Sequence, residues 1–115
     1  NKSGLVDRVL SSPYTYSDAE KMTIEFLETY LDPNFSPMCG SGICQDRRFL
    51  ARCMPKLESF FHYRNLDVSS IKELVTRWYP SIKFKKEPAH LALNDIKDSI
   101  NELKFYRELI FKELD

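Results

Sequence analysis

The sequence predicts an α/β chain dominated by helices, with roughly five or six helices and at most two short strands. Three observations carry that expectation. Apolar residues run from Leu93 through Ile96, Ile100, Leu103, Tyr106 and Ile110 to Leu114 in steps of three or four, the spacing of one continuous buried helical stripe. Ser17-Asp18-Ala19-Glu20 and Ser70-Ile71-Lys72-Glu73 both fit a capping box, in which a serine caps a backbone N–H and a glutamate reaches back. Only Pro37-Met38-Cys39 and the stretch from Arg64 to Val68 read as strands, and both are brief.

Taken in order, Ser3 caps a short helix through Leu10, and Pro13-Tyr14 marks a loop. From Ser17, the apolar residues Met22, Ile24, Phe26, Leu27, Tyr30 and Leu31 suit an amphipathic helix, which Asp32-Pro33-Asn34 ends. Gly40 and Gly42 allow a tight turn from the first strand into a helix over about Gln45 to Met54. Pro55 permits a restart toward Phe61, because proline is tolerated in a first helical turn. The second capping box opens a helix to Trp78, and Pro80 stops it. Ser81 to Glu87, with Lys83, Lys85 and Lys86, reads as a solvated connector before Pro88 and the last helix. Neither strand has an obvious partner, yet strand backbone groups need a sheet. Together with a start at Asn1 rather than an initiator Met, this suggests that residues 1–115 are one part of a larger domain.

Composition narrows the function. Hydrophobic residues at 43% and aromatics at 13% argue against intrinsic disorder. The 17 basic and 17 acidic residues cancel, which argues against a surface that grips long nucleic acid through many phosphates. A small phosphate-bearing ligand held by one or two arginines remains compatible. Cys39, Cys44 and Cys53 are odd in number and lack a second Cys/His pair at zinc-like spacing. They read as reduced thiols of a cytoplasmic protein. No apolar run approaches the ~20 residues of a membrane span.

The residues that carry chemistry are His90 and Asp95, near the start of the last helix, and Asp46, near the start of an earlier one. If His90 and Asp95 face one cleft, the carboxylate suits a hard divalent cation and the imidazole suits a base above it. Those are the parts of metal-assisted phosphodiester hydrolysis. Each has a plainer reading as well. Asp46 could be a first-turn aspartate favoured by the helix dipole, His90 a polar residue near a helix start, and Asp95 a solvent-facing one. A third cluster, Phe61-His62-Tyr63-Arg64, offers an arginine for bidentate phosphate binding and a tyrosine for stacking. It could equally be the polar edge of a core.

Several motifs, in order, resemble the oligoribonuclease family, the DEDDh-type 3′-to-5′ exoribonucleases that clear very short RNA. They are Gln45-Asp46-Arg47-Arg48-Phe49-Leu50, Met54-Pro55, His62-Tyr63-Arg64, Leu66-Asp67-Val68-Ser69, Lys72-Glu73-Leu74, Arg77-Trp78 and His90-x-Ala92-x-x-Asp95. Ser3-Gly4-Leu5-Val6 and Glu102-Leu103-x-x-Tyr106-Arg107 also fit. The resemblance implies an RNase H-like exonuclease fold from which the leading strands, with their Asp-x-Glu pair, are absent. Residues 1–115 would be the C-terminal part of one exonuclease domain. It implies Asp46 and Asp95 as ligands of a two-metal Mg²⁺ or Mn²⁺ site, incomplete in this chain, and His90 as general base. It implies a homodimer in which Tyr63 and Arg64 reach the partner's substrate, a short oligoribonucleotide or dinucleotide, and cap its terminal phosphate. A serine that helps hold this phosphate falls at Gly42 here, so Ser41 or a backbone N–H is expected to substitute. Asn94 stands where relatives often carry an acid. A capped pocket would measure substrate length, and it needs no long basic groove. The rival expectation is a catalytically incomplete chain that acts only as a helical dimerisation or association module through exposed apolar surface.

Overall fold

A computed structural model describes residues 11–85 and 92–114. The helix expected from Ser3 to Leu10 lies outside the described residues, as do Pro88 and His90. Helix α1 (Tyr16–Glu28) opens on a capping box two residues earlier than expected. Thr15 Oγ1 accepts from the Asp18 N–H at 3.1 Å, and Asp18 Oδ2 accepts from the Thr15 N–H at 3.0 Å. Those bonds, the backbone one foremost, hold the Asp18 carboxyl below the usual carboxylate range.

Glu20, expected to close its own helix's cap, is engaged elsewhere. Its Oε2 accepts from the N–H groups of Lys56 at 2.8 Å and Leu57 at 3.1 Å. These are the open donors of helix α3 (Pro55–Phe60), whose own N-cap, Met54, offers no side-chain acceptor. The cap therefore comes from another helix and ties α1 to α3. Glu20→Ala should cost about 1 kcal/mol in urea unfolding, and Glu20→Gln, which keeps an acceptor, clearly less. Equal stability of all three proteins would remove this role.

Strands β1 (Met38–Gly40) and β2 (Asn65–Asp67) correct the expectation that the strands lack partners, because they pair with each other. The pairing is parallel, with Met38 opposite Asn65, Cys39 opposite Leu66 and Gly40 opposite Asp67. A parallel pair needs a long crossover, which α2 (Ile43–Cys53) and α3 supply. Helix α4 (Val68–Trp78) follows β2 directly. Its N-cap is Asp67, whose Oδ1 accepts from Ser69 N at 3.0 Å, so the box expected at Ser70 and Glu73 does not form. The Glu73 carboxylate pairs instead with Arg77 one turn on.

Helix α5 (Ala92–Leu109) carries the long apolar stripe, but the stripe is not buried throughout. Tyr106 is 2% exposed and packs with Val68 and Val75 in the core. Leu103 and Ile110 pack partly against that cluster. Leu93, Ile96 and Ile100 are 50–62% exposed, and Ile96 and Ile100 border an open cavity. The lysine-rich connector is likewise less solvated than its charge suggested. Ile82 and Phe84 pack against the core, and the Phe84 and Phe105 rings lie 5.3 Å apart. A second set of buried side chains, Met38, Ile43, Leu57 and Phe60, lies on β1, α2 and α3. Among the described residues no helix is long and apolar enough to cross a membrane.

Candidate active site

The turn between β1 and α2 sets the site. Gly42 caps α2 with φ of 68°, a left-handed conformation that glycine adopts without steric cost. Its N–H donates to Asp67 Oδ1 at 2.9 Å, so the aspartate that caps α4 also pins this turn. One turn into α2, Asp46 lines a cavity of about 610 Å³. Asp95, from the first turn of α5, and Ser41 line the same cavity. The β1–α2 turn and α2, together with α5 from far along the chain, thus present two carboxylates and a hydroxyl to one space. Its remaining walls are mostly apolar and include Leu66, Ile96 and Ile100. Asp95 and its neighbour Ile96 both border this cavity.

A short relay supports the Asp95 end. Ser99 Oγ donates to the Asp95 carbonyl at 3.0 Å, and Ser41 and Ser99 hydroxyls lie 2.8 Å apart. A hydroxyl has one proton. With Ser99's given to Asp95, Ser41 is the donor to Ser99. To donate to a phosphate, Ser41 has to turn away from Ser99.

The carboxylate oxygens of Asp46 and Asp95 are hard donors of the kind that divalent Mg²⁺ or Mn²⁺ takes. Both residues are exposed, which leaves room for the water ligands such ions keep. Among the described residues no group of three His, Cys, Asp or Glu side chains is placed to hold a metal ion. His90 lies outside the described residues.

Tyr63 and Arg64 do not line this cavity. They stand on the loop between α3 and β2, where Tyr63 is 73% exposed. The His62 and Tyr63 rings stack with centroids 4.4 Å apart, and the Arg64 guanidinium sits 5.5 Å from the Tyr63 ring centre. His62 Nδ1 accepts from the Arg64 N–H at 3.1 Å, closing the loop on itself. Sequence reasoning missed three supporting residues: Arg47, Asp67 and Ser99. Arg47 sat inside a quoted motif beside Asp46, and Asp67 directly precedes a helix, where an N-cap aspartate is favoured. Ser99 gave no signal in the sequence.

Comparison with known proteins places this architecture in a class. The exonuclease family of the RNase T type matches residues 3–103, and the chain belongs to that family. Its fold is therefore RNase H-like, here mostly helical with a two-stranded parallel sheet. Among individual proteins, the chain is 60% identical over 109 residues to an oligoribonuclease of Dichelobacter nodosus, covering 95% of this chain and 61% of that protein. It is 58% identical over 112 residues to the oligoribonuclease of Acinetobacter baylyi, covering 96% and 61%. It is 63% identical over 110 residues to that of Legionella pneumophila strain Corby, covering 94% and 59%. The chain thus spans about three fifths of the length of these relatives. The family match lends no support to the rival association module.

Proposed function

We propose that the full-length protein is a metal-dependent 3′-to-5′ exoribonuclease that degrades short oligoribonucleotides, dinucleotides in particular, to nucleoside 5′-monophosphates. The observation that carries this reading is the meeting of Asp46 and Asp95 at one cavity, in a chain 58–63% identical to oligoribonucleases. In this proposal residues 1–115 are the C-terminal part of one exonuclease domain, and the leading strands with further carboxylates complete it. The protein acts in the cytoplasm as a homodimer.

Asp46 and Asp95 would hold Mg²⁺ or Mn²⁺, whose chemistry when bound is to activate water and stabilise the leaving oxygen. His90 takes the proton of the attacking water, a task for a group that titrates near neutrality. Tyr63 offers a ring to a base and Arg64 a forked guanidinium to a terminal phosphate. Neither borders the carboxylate cavity of its own chain, which supports their service to a partner subunit's substrate. Ser41, which lines the cavity, adds a hydroxyl for phosphate once it leaves Ser99.

The test is hydrolysis of a 5′-phosphorylated ribodinucleotide by the full-length protein. Nucleoside 5′-monophosphates should appear only with Mg²⁺ or Mn²⁺, cease with EDTA, and form more slowly from a long RNA. Internal cleavage, or indifference to EDTA, would contradict the proposal. Arg64→Ala should raise KM for the 5′-phosphorylated dinucleotide about tenfold or more, because a charge-assisted bidentate contact is lost. An unchanged KM would take Arg64 out of the phosphate cap.

A further inference from the structure

Arg47 is the most heavily engaged side chain of the described surface. It directly follows Asp46 on α2, yet it does not line the Asp46 cavity. Its side chain is 15% exposed and divides its donors between residues 62–65 and Glu58 of α3. Nε donates to Asn65 Oδ1 at 2.8 Å, and one Nη2 proton to the His62 carbonyl at 2.7 Å. A longer contact, 3.5 Å, joins Nη2 to the Arg64 carbonyl. Nη1 pairs at 3.0 Å with Glu58 Oε1 on α3, which orients the fork. The guanidinium therefore grips the carbonyls on either side of Tyr63.

We infer that Arg47 is a positioning residue that holds the Tyr63–Arg64 loop in its binding conformation. This rests on the proposal that Tyr63 and Arg64 meet the substrate. Consecutive helix residues point about 100° apart, so one turn of α2 presents a carboxylate to the cavity and an anchor to the loop. The loop needs an anchor of this kind because Tyr63 and Arg64 are themselves exposed. Only a planar fork can meet acceptors on Asn65, His62 and Glu58 at once, and a lysine ammonium cannot span them.

Arg47→Lys in the full-length protein tests this while keeping the charge and most of the stem. Amide exchange at residues 62–65 should quicken, with α4 and α5 unchanged. KM for a 5′-phosphorylated dinucleotide should rise about tenfold, with kcat within about twofold. In a Tyr63→Ala/Arg64→Ala background, the same substitution should add less than about twofold, because Arg47 acts through those residues. Unaltered exchange in the loop, or effects that multiply in that background, would overturn the inference. Quicker exchange with a silent Arg64→Ala would leave the anchor standing and remove the phosphate reading of the loop instead. Glu58→Gln should reproduce a weaker form of the Arg47→Lys result, and its failure to loosen the loop would count against the fork.

Discussion

Asp95→Ala in the full-length protein should lower dinucleotide turnover by roughly a thousandfold or more, about 4 kcal/mol of barrier. The substitution removes one of the two carboxylates that the described residues present to the cavity with Ser41. Asp46→Ala should do the same from the other wall. Neither should unfold the protein, since both side chains are exposed and hold up no buried group. Asp95 touches the Ser41–Ser99 relay only through its backbone carbonyl, which alanine retains. A turnover loss with unchanged stability therefore separates chemistry from folding. Near-normal hydrolysis by the Asp95→Ala protein would refute the assignment.

Tyr106→Ala should cost about 3–5 kcal/mol in urea unfolding, the range for deleting a buried aromatic side chain. Tyr106 is the largest fully buried side chain among the described residues, and it joins α5 to Val68 and Val75 of α4. Its hydroxyl donates to Glu102 Oε2 at 2.6 Å, and Glu102 is itself 3% exposed. Tyr106→Phe keeps the ring but takes a donor from that buried carboxylate, so it should still cost about 1–3 kcal/mol. Burial first, then the bond to Glu102 and its charge, push the phenol well above its usual range. The neutral phenol is thus favoured in the folded state. Its contribution is complete below the unfolded value of about 10 and declines as pH rises above it. Stability should therefore fall in alkali, and Tyr106→Phe should flatten that fall. A Tyr106→Ala protein as stable as the parent would mean that α5 is not held at this point.

Much of the fold was legible because local signals are strong where helices are regular. The extents of α2, α3 and α4 followed from Gly42, Pro55 and Pro80 to within a few residues. The caps were not, because Thr15 and Ser17 offer overlapping boxes and only tertiary structure reveals that Glu20 belongs to α3. Period alone also overstated burial on α5. A stripe shows which residues share a face, whereas Leu93, Ile96 and Ile100 depend on what lies opposite. The sheet was harder still, since two three-residue strands pair only across the α2–α3 crossover. At the site, Asp46 and Asp95 could be singled out by motif, and both line one cavity. Arg47 and Ser99 could not be assigned, because their roles lie in contacts with the 62–65 loop and with Ser41.

In the proposed function, Asp46 and Asp95 act together on a divalent cation. Titration of the full-length protein with Mn²⁺, followed by electron paramagnetic resonance, tests it without relying on turnover. The parent should take up the ion, whereas Asp46→Ala and Asp95→Ala should each weaken uptake, with Asp67→Asn, at the pinned turn, far less affected. Mn²⁺ affinity equal in the parent and both alanine variants would contradict the account.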